Sequence, residues 1–349
     1  MAKRRILYIL RQYPQISETY IQSEIDALQD DYDIKIISQL KIEGRNTSYA
    51  AHHPYSVVED PREIVKIIRT FNPHVLHSHW LININLLAKL ARHCNVPFTL
   101  RAHSFDTIPT PGSIGDKWLK SGRKVLAEVT RDQLCLGILG FPFSRSFLEE
   151  LGTPEDKIHD CFPVVNYDRF LDRSENGEDV MNTGACIPKK RMQDFLQLST
   201  MVEGRKFNLY PVSYNVAKIE ELNEEMGKPV EIMSPIEPIN MPGEYKKHQW
   251  LVYTACPRLR SVGWPLSIAE AQASGVGVVV ANIRPDIKQY VGDAGFVYDN
   301  LHDVSRIISQ PVPQEIREKG FEQAKLSDVN QHKTLLTDLW PQRDSGNSS

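Results

Sequence analysis

His103 follows the apolar run FTLRA and precedes Ser104, Phe105 and Asp106, which sets it at the carboxyl end of a predicted strand. That is where α/β proteins hold ligands, and a histidine there can hold or pass a proton near neutral pH. The plain alternative is a strand-end histidine satisfied by backbone groups. His77 and His79 lie two apart on another predicted strand, so both face the same way. An H-x-H pair also begins the metal site of several zinc hydrolases, which raises a metal-dependent hydrolase built on His77, His79 and His103. Against it, no later strand-end Asp or His pair completes the set.

A second group of residues suits anions. Lys190 sits between Lys189 and Arg191 in a loop after a predicted strand, either as a solvated charge run or as an anion-binding turn. The stretch GWPLSIAEAQASGVGVVVAN, from Gly263 to Asn282, combines several signals. Gly263, Trp264 and Pro265 form a loop. A helix then opens at Leu266 and Ser267, with Ser267 expected as N-cap and Glu270 as its capping-box partner. Gly275 stops the helix, and Val276 to Val280 reads as a buried strand. Free N–H groups at such a helix start favour an anion, and a carboxylate in the first turn can accept hydrogen bonds from sugar or ribose hydroxyls. Ser17, Glu18 and Thr19 open the first predicted helix, with Ser17 as expected N-cap; the same residues can line a crevice beside the first strand.

These residues need a scaffold, and strands alternating with helices supply it. The first strand is expected over Arg5–Leu10, a helix to about Gln29, and strands over Asp33–Ser38, the HVLHSHW segment and Pro97–Ala102, with helices at Pro61–Phe71 and Leu81–His93 between them. After the polar stretch LDRSENGEDVMN a second alternating series begins. The pattern predicts an α/β protein of two doubly wound, Rossmann-like domains facing each other across a cleft. The expected division is 1–170, a linker at 171–182, 183–330, and a last helix end with a polar tail at 331–349.

With 349 residues the chain is too long for one ordinary core. Its 41% hydrophobic and 24% charged residues are those of a globular protein, and a net charge of -3 offers no basic field for nucleic acid. Five widely spaced cysteines without a C-x-x-C pair suit a reducing compartment. The apolar stretch Ile6–Leu10 ends at Arg11, so a cytoplasmic location without a signal peptide is expected. The helix around Asp116–Arg131 carries Lys117, Lys120, Arg123 and Lys124 among apolar residues; peripheral contact with a membrane or a lipid-linked acceptor is one reading, a packed helix with a basic outer face the other.

Taken together, these segments resemble the GT-B glycosyltransferases, and within them the retaining group called family four. YPQISETYIQSEIDAL is similar to that family's SETF-type opening, HSHW to its His-rich strand end, FTLRAHSFD to its taHg-D segment, GACIPKK to its diphosphate loop, and the Gly263–Asn282 stretch to its donor signature. The resemblance implies a metal-independent, hexosyltransferase-type enzyme that moves a sugar from a nucleotide-diphosphate donor, of UDP or GDP type, to a sugar, lipid-linked or small-molecule acceptor, with no further cofactor. It implies a hydrogen bond from His103 to the transferred sugar, oriented by Asp106. Donor contacts are implied for Lys190, Arg191, Gly263, Trp264, Pro265, Leu266, Ser267 and Glu270, with Ser17, Glu18, Thr19 and His79 on the acceptor side. Two positions depart from the pattern: its first glutamate falls at Val262 and its loop arginine at Ala185. Arg191, Arg258 and Arg260 are the candidate replacements for the lost cation, and main-chain groups near Val262 for the lost carboxylate. The departures also raise a non-catalytic nucleotide-sugar-binding module.

Overall fold

The computed structural model describes residues 3–340 except 16, 43–51, 109, 110, 113, 213, 214, 259 and 260. Its first half holds β1 (Arg4–Leu10), β2 (Tyr32–Ser38), β3 (Tyr55–Val57), β4 (Val75–His79), β5 (Phe98–Arg101), β6 (Cys135–Gly140) and β7 (Ile158–Asp160). They form a parallel sheet in the order β3-β2-β1-β4-β5-β6-β7. The second half holds β8 (Asp179–Gly184), β9 (Phe207–Pro211), β10 (Glu231–Ile232), β11 (His248–Tyr253), β12 (Gly277–Ala281) and β13 (Phe296–Tyr298), ordered β10-β9-β8-β11-β12-β13. Both orders are doubly wound. The direction of winding reverses beside β1 in one sheet and beside β8 in the other, and each reversal opens a crevice at the carboxyl ends of the strands.

The central strands are apolar runs buried on both faces, as covered parallel sheets require; all five residues of GVVVA in β12 are buried. Local chemistry sets many helix ends. In the Pro61–Phe71 helix the Asp60 carboxylate accepts from the Arg62 N–H at 2.9 Å, Pro61 takes the first position, and Asn72 closes the end at φ 49°.

Two expected caps are absent. The Thr19–Leu28 helix has Glu18, not Ser17, at its N-cap, with no side-chain bond to the helix. The Leu266–Ala273 helix starts after Pro265, whose backbone already occupies the extended cap position, so Ser267 is its second residue and caps nothing. Glu270 consequently has no capping-box partner and accepts a hydrogen bond from the Tyr245 hydroxyl at 2.8 Å.

After the second sheet the chain returns to the first. Val165 and Asp328 form a parallel bridge, and the Val329–Leu339 helix buries Leu336 and then Trp340 among Ile6, Tyr8, Ile25 and Leu139. The Trp340 indole donates to Thr99 Oγ1 at 2.9 Å. The two halves also meet through aromatic rings: Trp264 stacks on Tyr290 with centroids 4.9 Å apart and packs against Phe162 at 5.1 Å and Phe143 at 5.7 Å. In the Ile114–Thr130 helix, Trp118, Leu126 and Val129 are buried in the first core. The apolar residues are therefore committed inward and the exposed side is left to lysines such as Lys120 and Lys124, as in the packed-helix reading. Among the described residues no helix is long and apolar enough to cross a membrane.

Candidate functional site

A cavity of about 430 Å³ lies where the carboxyl ends of the two sheets face each other, a size suited to a small-molecule ligand. Its first wall comes from the turns after β1, β4 and β5: Ser17, Glu18, Thr19 and Tyr20, then Trp80, then Arg101, His103 and Ser104. The second comes from the turns after β8 and β11: Gly184, Ala185, Lys189 and Lys190, then Val262 to Ser267 and Glu270. Tyr210, Ile236 and Met241 add an apolar end, while Arg169 and Phe170 stand at the crossing between the halves.

Lys190 stands beside Lys189 on the second wall. Burial, and secondarily the Lys189 charge, lower its pKa to about 7. Its ammonium lies 4.2 Å from the Tyr253 ring centroid and donates to the Tyr253 hydroxyl. Gly184, at φ 143°, brings the backbone to the same spot: a Cβ there would sit 3.9 Å from Lys190 Nζ. Burial raises the Glu270 pKa, opposed by the Tyr245 hydrogen bond and the Arg169 charge. On the same wall stand Leu266 and Ser267, whose N–H groups open the Leu266–Ala273 helix and have no acceptor within it, whereas the Ile268 N–H donates to the Pro265 carbonyl at 3.3 Å.

Arg191 is elsewhere. It adopts φ 46° and pairs its guanidinium with Asp194 at 2.7 Å, outside the cavity wall. Arg258 is exposed and also off the wall, and Arg260 lies outside the described residues. The guanidinium groups that do border the cavity are Arg101 and Arg169, which sequence reasoning missed. A signal existed for Arg101, a charge inside the buried run FTLR. Val262 is only 2% exposed, and its carbonyl accepts from Arg284, so that main-chain oxygen is already engaged.

On the first wall only one of the two residues expected to be catalytic reaches the cavity. His103 lines it, but both ring nitrogens have partners: one lies 3.1 Å from His79 Nδ1, and the ring also accepts from the Asp106 N–H. Asp106 is fully buried, accepting from the N–H groups of His103 at 2.8 Å and Leu81. Burial pushes its pKa up to about 7 against those backbone bonds. The orienting contact expected of Asp106 is thus a backbone cap, because the helix after His103 turns the carboxylate back into the loop. His79 is fully buried behind His103 and does not border the cavity.

Behind that wall stands a polar cluster. The β4–β5 register sets His77 opposite Thr99 and His79 opposite Arg101, and His77, His79 and Arg101 face Glu24 of the first helix. Glu24 Oε1 accepts from the Tyr8 hydroxyl at 2.7 Å and lies 3.3 Å from His77 Nε2 and 3.4 Å from His79 Nε2. Its Oε2 lies 2.5 Å from His332 Nε2 and 3.9 Å from Arg101 Nη1. Burial works against this charge, yet the surrounding rings of His79, His332 and His77 hold the carboxyl well below the usual range. Burial also lowers the His79 pKa to about 4, so the ring is a neutral donor to Glu24. The ligand-type atoms that converge within 4.8 Å belong to Glu24, His77 and His79. His103 is not among them, and the Arg101 guanidinium supplies the positive charge beside the carboxylate. The hydrolase set of His77, His79 and His103 therefore does not assemble: two of its rings turn to Glu24, away from the cavity.

Compared by sequence, the chain matches no protein-family profile and no curated protein. Compared by structure, it is similar along nearly its whole length to solved proteins. HepE from Anabaena, in complex with UDP and glucose, has a TM-score of 0.75 at 12% identity, with 96% of this chain and 98% of that one covered. Sucrose-phosphate synthase from Thermosynechococcus elongatus has 0.72 at 12%, covering 96% and 99%. A glycosyltransferase from Rickettsia africae ESF-5 has 0.67 at 14%, covering 99% and 100%. The two facing doubly wound sheets and these likenesses define the fold: the chain is a GT-B protein.

Proposed function

We propose that this chain is a glycosyltransferase that takes a sugar from a nucleoside-diphosphate donor, of UDP or GDP type, and passes it to an acceptor hydroxyl with retention. The observation that carries the reading is the cavity itself, with a lysine, a helix start and a carboxylate on one wall and a separate polar and aromatic wall opposite. The HepE structures, which hold UDP, UDP with glucose, or UDP-glucose, lend support to the donor class. In this reading the anomeric C–O bond to the diphosphate breaks as the acceptor oxygen bonds to the same carbon, and the acceptor proton leaves on a phosphate oxygen. Lys190 and the N–H groups of Leu266 and Ser267 stabilise the charge that gathers on the departing diphosphate. Glu270 accepts from the ribose hydroxyls. Ser17, Glu18 and Thr19 form the acceptor side, and His103, held by Asp106 and His79, forms its floor. Retention comes from the family resemblance, and the anomeric configuration of the product, read by NMR, decides it.

A thermal-shift panel of UDP, GDP, ADP and their sugars tests the donor class. A specific rise with one nucleotide is expected, and Lys190→Ala and Glu270→Ala should both weaken it while the apo proteins stay folded. Full nucleotide affinity in both variants would show that the donor site is misplaced. A nucleotide that binds tightly while its sugar is never released or transferred would favour the non-catalytic module.

A further inference from the structure

The junction after β4 has a backbone conformation that its residue does not suit. Trp80 has φ 76° and ψ 123°, in the region where a Cβ crowds the chain and glycine is favoured. Its N–H donates to the Arg101 carbonyl at 2.8 Å and its carbonyl accepts from the Asn83 N–H at 3.0 Å, so the bend is held from both sides. Such a conformation persists for a bulky residue only when its surroundings over-determine it, and such places cluster at ligand clamps.

What the bend achieves is the placement of the indole. The ring lies over His103 with centroids 4.0 Å apart and 32° between planes, and edge-on to Phe105 at 6.1 Å. His103 is itself fastened by His79 and the Asp106 N–H, so the indole rests on a rigid floor while bordering the cavity. Beside it, also at the cavity wall, stands the Glu18 carboxyl, close enough for the indole N–H to favour its charged form.

An electron-rich ring face next to a carboxyl matches one ligand chemistry. A pyranose presents polarised C–H groups on its faces, which suit the negative face of an indole, and hydroxyls at its edge, which suit a carboxyl. An acyl chain would leave that carboxyl buried with too few polar partners, and a phosphate has neither C–H faces for the indole nor, when fully ionised, a hydrogen to donate to the carboxyl oxygen.

We propose that Trp80 and Glu18 form the acceptor subsite and that the acceptor is a carbohydrate, its ring lying on the indole and its hydroxyls on the Glu18 carboxyl. This rests on reading the cavity as a transferase site. Burial raises the Glu18 pKa to about 8, against the opposing indole N–H, so near neutral pH the group has an O–H to donate as well as an oxygen to accept. The backbone strain is retained for the ring, which a smaller residue would not need.

Saturation-transfer NMR tests the subsite, with methyl glucoside, methyl galactoside and maltose as neutral probes in the presence of UDP. The wild type should transfer saturation to the ring protons of at least one probe. Trp80→Gly should abolish the signal, Trp80→Phe should retain it, and Glu18→Ala should weaken it severalfold, with the UDP thermal shift the same in all. Glycine accepts φ 76°, so Trp80→Gly should melt no lower than Trp80→Ala, which keeps the folded state available for the test. A sugar signal that survives in Trp80→Gly, or no signal in a wild type that binds UDP, overturns the proposal. A wild type that shows no shift with any nucleotide of the panel but a Trp80-dependent sugar signal would instead sink the donor reading and leave the sugar subsite standing.

Discussion

If Lys190 receives the donor diphosphate, nucleotide binding must take up a proton. In the free protein the ammonium is half-ionised near pH 7, because burial and Lys189 have lowered its pKa from 10.5 to about 7. A bound diphosphate favours the charged form, so its pKa rises on binding. The sign follows: below pH 7 the lysine is already charged and affinity is flat, whereas above pH 7 each further unit costs up to a factor of ten. Between pH 7 and 9 the affinity for UDP should fall by at most about fiftyfold, or ~2.3 kcal/mol. Water in the cavity tempers the lysine shift and makes that figure an upper bound. The UDP phosphates are essentially fully ionised across this range and contribute little slope of their own. Titration calorimetry at pH 8, in buffers of different ionisation enthalpy, should register close to one proton taken up per UDP. Lys190→Met should bind more weakly at pH 7 and show a flattened profile above it. Zero proton uptake at pH 8, or an unchanged slope in the methionine variant, would refute the reasoning.

Two further outcomes follow from the packing. Glu24→Ala leaves the Arg101 guanidinium without its counter-charge and several ring N–H groups without an acceptor; urea unfolding should show a loss of about 3–5 kcal/mol. Because the folded pKa of Glu24 is depressed, its contribution is present above the ordinary carboxylate pKa and lost as pH falls below it. The wild type should therefore lose more stability than the variant between pH 5 and pH 3; parallel losses would remove Glu24 as a cause. Gly263→Ala sets a Cβ 2.9 Å from Ser104 Oγ, across the contact between the two halves. It should lower the melting temperature by the equivalent of about 1–3 kcal/mol. Ser104→Ala in the same chain should recover much of that loss, and an unshifted melt in the single variant would mean the halves do not approach this closely in solution.

Much of the scaffold was legible because it is written in local chemistry. The Pro61–Phe71 helix carries its own cap, starting proline and closing asparagine, so no distant contact is needed to place its ends. The strand runs and the alternation of strand with helix predict parallel sheets, and with them a crevice at the carboxyl ends, where Ser17 to Thr19, His103, Lys190 and Glu270 do stand. Where local signals competed, sequence reasoning failed. Ser267 has the residue type of a cap, but Pro265 already supplies the extended residue that starts the helix.

The residue types and their order along the chain determined this protein's α/β class, its two doubly wound halves and the turns that face the cleft. Side-chain direction was left to the tertiary structure. Glu24 meets His332 across 308 residues, an approach that only the return of the last helix to the first sheet creates. That contact belongs to the cluster that holds His79, and His79 in turn holds His103. Arg101 and Arg169 border the cavity where Arg191 does not, because a guanidinium goes to the carboxylate or the space its neighbours leave, and Asp194 lies three residues from Arg191. Trp80 reaches the first wall of the cavity through a bend that its own preferences oppose. Periodicity records which face of an element is buried; which atoms then touch depends on the loop and crossover geometry that brings those faces together.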